Sequence, residues 1–210
     1  MRTHLIAAII TLAISTSLIG CMGKVKSPTY YTLNLPTAPD TSIQAGPCGS
    51  IAVREFRSPD YLRRGAIVYR GTPEEVAFYD YHRWAVDPRE VVTNAIVDRL
   101  RASGRFAEAK IYDGHSDVDF ILTGRLEKLE EVDYEGGVRV EVALSAQMTE
   151  LRSGKTVWAN SASEVAQVDG RTVLAVVAEM SQAMDGAIQK LLRSVPVSAS
   201  TSLEPRPDQP

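Results

Sequence analysis

The strongest constraint on the fold is a set of three long alternating segments in the second half of the chain. From Asp119 to Leu129, from Val138 to Leu151 and from Thr156 to Val168, apolar and polar residues alternate. A period of two is typical of strands with one buried face. Gly136-Gly137 and Ser153-Gly154 separate the segments and are typical of tight hairpin turns. The sequence therefore predicts an antiparallel meander of three strands.

Shorter segments rich in strand-forming residues occur in the first half of the chain. Two of them flank the turn residues Gly71-Thr72-Pro73 and are expected to form a hairpin. The acidic run from Glu130 to Glu135 is expected at the solvent end of a hairpin. The predicted shorter strands are Tyr30–Leu35, Ser50–Phe56, Ala66–Arg70, Glu75–Trp84 and Lys110–Asp113.

Two segments have helical periodicity. The first begins with Asp87 as candidate N-cap and Pro88 in the first helical position, and it ends at Gly104. The second runs from about Arg171 to Leu192, with Asp169 as candidate N-cap. The order of elements predicts an α+β fold, a mainly antiparallel sheet with two amphipathic helices packed on one face.

The N-terminus has the composition of a cleaved leader. Arg2 precedes an apolar run from Leu5 to Leu18, which is too short for a stop-transfer helix, and Gly20 comes directly before Cys21. This resembles a bacterial lipoprotein signal, in which the cysteine becomes the first residue and is lipidated. The alternative is an ordinary secretory signal that contains a cysteine.

The expected domain organisation follows from this leader. Residues 1–20 are predicted to be a lipoprotein signal peptide, 21–28 a lipidated tether and 29–194 one compact domain. Residues 195–210 contain Pro, Ser, Thr and charged residues and are predicted to be a disordered tail.

The resemblance to bacterial lipoproteins implies the mode of membrane attachment. Cys21 would carry a diacylglycerol and an N-acyl chain, such as palmitate, and no other cofactor is expected. More than one chain is needed for stable anchoring. Residue 22 is Met rather than Asp, which by analogy with well-studied Gram-negative bacteria favours the periplasmic face of the outer membrane.

Charge and cysteine content exclude several classes of protein. Loss of residues 1–20 removes Arg2, leaving 22 basic residues (23 minus 1) against 26 acidic ones, a net charge of about −4. That balance gives no nucleic-acid binding surface. With Cys21 lipidated, Cys48 has no intramolecular partner, so no disulfide framework is expected.

Candidate catalytic and metal-binding motifs are incomplete. Ser153–Thr156 resembles the end of a phosphate-binding loop, but Thr149 stands where that loop needs glycine, and a strand rather than a helix follows. His82 and His115 are not in metal-ligand spacing. The chain also lacks a Gly-x-Ser-x-Gly motif. We therefore predict neither enzymatic activity nor a metal site.

One segment has the composition of a protein-binding hot spot. In Tyr61-Leu62-Arg63-Arg64, an aromatic residue and a leucine lie beside arginines. Tyr61, Leu62, Arg63 and the nearby Trp84 are the candidate partner-binding residues. The alternative is that Tyr61, Leu62 and Trp84 pack into the core.

From about residue 18 to 193, these landmarks resemble the PqiC-like family of auxiliary lipoproteins of ABC-type transporters. The matching pieces keep the family's order along the chain. They are Leu18–Cys21, Tyr30–Leu33, Ile51–Val53, Pro59–Leu62, Ile67–Arg70, Trp84–Pro88 and an Ala- and Met-rich final helix.

This resemblance implies a non-enzymatic component of a lipid-transport system that spans the envelope. The expected partner is an MCE-domain protein, which the lipoprotein would dock at the outer membrane, and a homo-oligomer is conceivable. The alternative is a stand-alone structural or regulatory envelope lipoprotein that assists lipopolysaccharide assembly or a peptidoglycan synthase.

Overall fold

The computed structural model describes residues 26–37, 49–115, 117–134 and 136–195. In these ranges the chain forms eight strands, two α-helices and one 3-10 helix. In chain order they are β1 (Thr29–Tyr31), β2 (Ser50–Val53), the 3-10 helix (Asp60–Arg64), β3 (Ala66–Arg70), β4 (Ala77–Trp84), α1 (Pro88–Ala102), β5 (Glu108–Ile111), β6 (Phe120–Val132), β7 (Arg139–Glu150), β8 (Thr156–Gln167) and α2 (Val173–Arg193).

Strand β6 is the centre of a single eight-stranded sheet. Along its whole length it pairs with β7, which in turn pairs with β8. A strand has two edges, so β2 and β3 share the other edge of β6, β2 near its start and β3 near its end. Strand β5 extends the sheet beyond β2, while β4 and then β1 extend it beyond β3.

The predicted meander and the predicted hairpin are confirmed. Strands β6, β7 and β8 are antiparallel, with pairs from Phe120↔Glu150 to Val132↔Arg139 in the first ladder. Strands β3 and β4 are also antiparallel. The long strands could be predicted because twelve or more residues repeat the same alternation.

The α+β fold class is confirmed, although the sheet is mixed rather than purely antiparallel. Strand β1 is parallel to β4, β2 is parallel to β5 and β6, and β3 is parallel to β6. Parallel neighbours require long connections. The chain between β2 and β5 contains β3, β4 and α1, so the parallel pairs arise from non-local connections.

Both helices pack on the same face of the sheet, as predicted. The core residues of β7 alternate along the strand and join one hydrophobic cluster with residues from both helices. Arg99 of α1 forms an ion pair with Asp185 of α2. The fully buried core side chains include Val140, Ile96, Leu100, Met180, Met184, Ile188 and Leu191.

The helix starts confirm one predicted cap and correct the other. The Asp87 carboxylate accepts a 2.9 Å hydrogen bond from the Arg89 backbone N–H, and Pro88 opens α1. Burial acts to raise the pKa of Asp87, but hydrogen bonds from Arg89 outweigh it and hold that pKa below its ordinary value. The N-cap of α2 is Thr172 rather than Asp169, and its hydroxyl accepts from the Ala175 N–H at 3.2 Å.

The acidic run corrects a sequence prediction, because Glu130 and Glu131 are buried, at 1% and 5% exposure. Strand β6 continues to Val132, where β3 pairs with it. Arg70 Nε lies 2.8 Å from Glu130 Oε1, and the Tyr79 hydroxyl donates to Glu131 Oε2 at 2.9 Å. The two carboxylates thus connect β6 to β3 and β4.

None of the described helices is long and apolar enough to span a membrane. The predicted signal peptide, Cys21, Cys48 and residues 196–210 of the predicted tail lie outside the described residues. Val195, the first residue of the predicted tail, is described and is buried.

The contact between Gly124 and Phe56 gives a stability prediction. A Cβ at Gly124 would lie 2.2 Å from the ring of the fully buried Phe56. We expect Gly124→Ala to destabilise the fold by about 1–3 kcal/mol, the usual cost of overpacking. In the control Gly186→Ala, the nearest atom is the flexible Glu164 carboxylate, and better helix propensity offsets the contact. Urea denaturation measures both, and equal midpoints for Gly124→Ala and wild type would contradict the packing argument.

The buried acidic pair gives a pH prediction. Burial raises the pKa of Glu131, so its contribution to stability is full below the unfolded pKa and is lost as pH rises through the folded pKa. We expect Glu131→Gln to gain stability relative to wild type as pH rises above about 4.3, the ordinary glutamate pKa.

In the control variant, Glu141→Gln, the change in stability with pH should have the opposite sign. The hydrogen bond from Lys128 lowers the pKa of Glu141, so the stability that this carboxylate adds is full above the ordinary glutamate pKa and is lost as pH falls through the lower folded pKa. Glu141→Gln should therefore lose stability relative to wild type as pH rises toward about 4.3, with a constant difference above that pH. Urea denaturation across pH measures both variants. Curves for Glu131→Gln and wild type that stay parallel at all pH values would contradict the prediction.

Candidate functional site

The face of the sheet away from the helices contains an open groove with a volume of about 1030 Å³. In β7, Ser145 and Gln147 line it, and they alternate with the buried Leu144 and Met148. The middle of β6 and β8 completes the floor. The segment from Arg54 to Arg57 and Tyr112 line the side of the groove. The groove thus lies where the meander meets the chain that follows β2 and β5.

One row of residues crosses four adjacent segments in this groove. Arg57 forms a parallel bridge with Arg125, Arg125 pairs with Ser145, and Ser145 pairs with Ser161. Cross-strand partners lie on the same face. With neighbouring strands about 4.8 Å apart, the row is roughly 14 Å long. It places two guanidinium groups beside two hydroxyl groups.

The arginines of the groove are not equally neutralised. Arg125 Nε lies 2.9 Å from Glu127 Oε2, and Ser145 donates to Glu127 Oε1 at 2.7 Å. Arg54 stacks on Tyr112, with 4.5 Å between the guanidinium carbon and the ring centroid. No carboxylate of the described residues forms an ion pair with Arg57.

The charge balance of the groove therefore favours an anionic ligand. The acidic residue that lines the groove, Glu55, lies 3.4 Å from Arg89. The neighbouring Glu127 contacts Arg125 and Ser145. The adjacent arginines Arg57 and Arg125 repel each other, an arrangement that lowers stability unless an anion joins them. Guanidinium groups bind carboxylates and phosphates in a bidentate geometry. The Ser, Thr and Gln side chains of the floor suit a polar ligand rather than an acyl chain.

Several polar side chains that could serve catalysis or metal binding contact other residues of the protein instead. Ser50 donates to Asp119 from its backbone N–H at 2.7 Å and from its hydroxyl at 2.9 Å, and these bonds lower the pKa of Asp119. The Tyr31 hydroxyl lies 2.9 Å from His82 Nδ1. Thr156 begins a strand, β8. Within the described ranges, no three His, Cys, Asp or Glu side chains are grouped closely enough to hold a metal ion.

The four candidate partner-binding residues lie close together. Trp84 donates its backbone N–H to Gly65 O at 2.8 Å, which joins β4 to the end of the 3-10 helix. Leu62 and Trp84 are buried in the core, at 5% and 7% exposure. Arg63 is exposed and forms an ion pair with Asp60.

Tyr61 connects this segment to the buried acidic pair. Its hydroxyl lies 3.4 Å from Glu130 Oε2. Burial and then the charge of Glu130 raise the pKa of Tyr61. Arg63 and the accessible part of Tyr61 are therefore the side chains that a partner would meet at this segment, whose role in partner binding stays a prediction.

Sequence reasoning missed the groove. Arg54 and Arg57 follow β2 with no regular spacing. Arg57 lies beside Arg125 only because a bridge joins this segment to β6. That bridge joins residues 68 positions apart (125 minus 57). Local sequence offered one signal, the polar residues that alternate along β7.

Comparisons with solved structures show the same fold in two proteins, and a third structure matches with a TM-score below 0.5. Protein XCC0632 from Xanthomonas campestris, a DUF330 protein, is 18% identical, with a TM-score of 0.66 over 78% of this chain and 92% of that one. An uncharacterized protein is 14% identical, with a TM-score of 0.62 over 81% and 100%. A PelC dodecamer from Paraburkholderia phytofirmans is 15% identical, with a TM-score of 0.46 over 76% and 91%.

Comparison with curated proteins gave no match. The sequence model of the family described as "ABC-type transport auxiliary lipoprotein component" matches residues 31–191. This match begins at the last residue of β1 and ends two residues before the end of α2, so it includes strands β2 to β8, all of α1 and most of α2. The chain therefore belongs to the ABC-type transport auxiliary lipoprotein family.

Proposed function

We propose that this protein is a non-enzymatic auxiliary subunit of an MCE-type ABC lipid-transport system. It docks the MCE-domain protein of the transporter at the periplasmic face of the outer membrane. The observation that carries this proposal is the family match over residues 31–191. The open groove beside a helix-covered core gives the domain a surface that is free for a protein partner.

The membrane attachment proposed here is covalent. Cys21 carries a diacylglycerol and an N-acyl chain, and no other cofactor is needed. Membership of a lipoprotein family supports this attachment, and so does the apolar leader that ends at Gly20-Cys21. Met22 in place of Asp favours the outer membrane by analogy with well-studied Gram-negative bacteria.

Two surfaces are proposed for the partner. The first is the groove, where Arg57 and Arg125 would accept carboxylates of the MCE protein. The second is the surface formed by Tyr61, Leu62, Arg63 and Trp84. In this surface Arg63 and Tyr61 would make contact, while the buried Leu62 and Trp84 hold them in place.

Strand β8 supports a homo-oligomer as a further proposal. It pairs with β7, and no strand in the described ranges pairs with its other edge. This edge is 12 residues long with Glu164 as its one charged residue, and Val157 and Val165 are exposed on it. A long, weakly charged edge favours pairing with another chain. A second copy of this protein would protect it.

Lipidation predicts the behaviour of Cys21→Ser. In cells grown with labelled palmitate, we expect the variant to lose the label and to become soluble in the periplasm, because no thiol remains to take the acyl chains. The matched control is Cys48→Ser, which should keep both the label and the membrane attachment. Membrane attachment of Cys21→Ser would contradict anchoring through this residue.

Partner docking predicts the effect of reversing charge in the groove. In membranes that contain the lipidated protein, we expect Arg57→Glu with Arg125→Glu to reduce crosslinking to the MCE protein several-fold. Arg63→Glu tests the second surface. The control is Arg171→Glu, because Arg171 is exposed and lies outside both surfaces.

Three outcomes of this experiment separate the hypotheses. Loss with the groove variant alone assigns docking to the groove, and loss with Arg63→Glu alone assigns it to the second surface. If wild-type protein yields no MCE partner, the transport proposal is wrong and the stand-alone envelope lipoprotein takes its place. Equal melting temperatures would show that all variants fold.

A further inference from the structure

We infer that Lys26, Tyr30 and Tyr81 form a membrane-contact patch that lies against the phospholipid headgroups. This inference rests on the proposed lipidation of Cys21. It adds an orientation, because it names the side of the domain that faces the bilayer. Tyr30 lies on β1 and Tyr81 lies on β4, while Lys26 lies just before β1.

The patch consists of exposed aromatic and basic side chains. Tyr30 is 60% exposed and Tyr81 is 41% exposed. Lys26 Nζ lies 4.8 Å from the centroid of the Tyr81 ring. Among the exposed large hydrophobic side chains of the described ranges, Tyr30 and Tyr81 are the aromatic ones. Both therefore present a large ring to solvent in this structure.

The pairing of β1 fixes the direction of Tyr30. Strand β1 pairs with β4, with Tyr30 opposite Arg83. The next residue, Tyr31, packs against the core and bonds to His82. Successive side chains of a strand point to opposite faces. Tyr30 therefore points away from the core, and it cannot turn inward without a shift in the register of β1.

The length of the tether places this patch near the membrane. Five peptide units join Cys21 to Lys26, and even a fully extended chain gives them a reach of about 18 Å. A domain of this size has a radius of gyration of about 15 Å, so its diameter is roughly twice the tether. The anchor can therefore bring only the side that contains Lys26 to the bilayer.

The chemistry of the patch suits lipid headgroups. Tyrosine is enriched at membrane interfaces, where the ring meets apolar groups and the hydroxyl stays hydrated. Lysine lays its methylene groups along apolar surface and keeps its ammonium beside phosphate. Arg83 is also exposed here and Asp80 is the exposed acidic neighbour on β4, so the patch has a net positive charge in a chain whose net charge is −3.

The test measures depth at the membrane with a fluorescent label. Tyr30→Cys in a Cys48→Ser background is labelled with the environment-sensitive dye NBD, since lipidated Cys21 does not react. The full mature protein is reconstituted into vesicles of phosphatidylethanolamine and phosphatidylglycerol. Spin-labelled headgroup lipids are then added, and quenching of NBD is recorded.

The control label is placed at Leu151, which is 45% exposed and lies beside Asp119 at the start of β6. Strands β3, β4 and β1 extend from the other end of β6, 13 residues away. We expect several-fold stronger quenching at residue 30 than at residue 151. A label at Tyr81→Cys gives a second position if Tyr30→Cys does not fold.

The outcomes distinguish this inference from the proposed anchor. If the vesicles float with the protein but the labels at residues 30 and 151 are quenched equally, the patch is wrong while the anchor stands. If the protein does not float with vesicles, the lipidation proposal fails and the patch fails with it. Shielding of residue 30 that rises with protein concentration in detergent would assign the patch to a second copy and overturn contact with lipid.

Discussion

The structure depends on the use of both edges of β6. One edge pairs with β7, and the other is shared by β2 and β3, between which the chain from Arg54 to Arg57 continues along the strand. Phe56 enters the core at that point only because Gly124 of β6 has no side chain. The arginines on either side of Phe56 are then held at the groove. A packing contact in the core thus positions the charged residues of the candidate site.

The central position of β6 also forces charged residues at its C-terminal end into the interior. Glu130 and Glu131 lie in the last three residues of this strand, and they are buried because β3 and β4 cover them. A buried carboxylate is tolerated only with close partners, and Arg70 and Tyr79 provide them. Tyr61 also reaches Glu130, so the 3-10 helix is fixed partly by a polar contact. The candidate surface at Tyr61 and Arg63 is therefore connected to the buried acidic pair through Glu130.

The parts of the fold that sequence could predict are those with local signals. The meander repeats its alternation over whole strands, and Asp87-Pro88 forms a cap by contacts within three residues. The direction of the short strands and the burial of Glu130 depend on neighbours that are distant in sequence. The cap of α2 is a local contact between Thr172 and Ala175, which the sequence analysis placed three residues too early, at Asp169. The groove had the weakest signal, because its row forms only when β6 has both partners. Elements with a local sequence signal could therefore be predicted, whereas features that depend on the pairing register of distant segments could not.

The proposed contacts with membrane and partner use different parts of one sheet. The tether enters at β1, which is joined to the rest of the sheet through β4 and β3, whereas the groove lies on β6, β7 and β8. Strands β3 and β4 are joined to β6 by the contacts of Arg70 with Glu130 and of Tyr79 with Glu131, so the two regions belong to one body built on a single sheet. The proposed tether, being short, would restrict the rotation of this body as well as its distance from the bilayer. The groove would then face the periplasm in a fixed direction, which is the arrangement that a docking subunit requires.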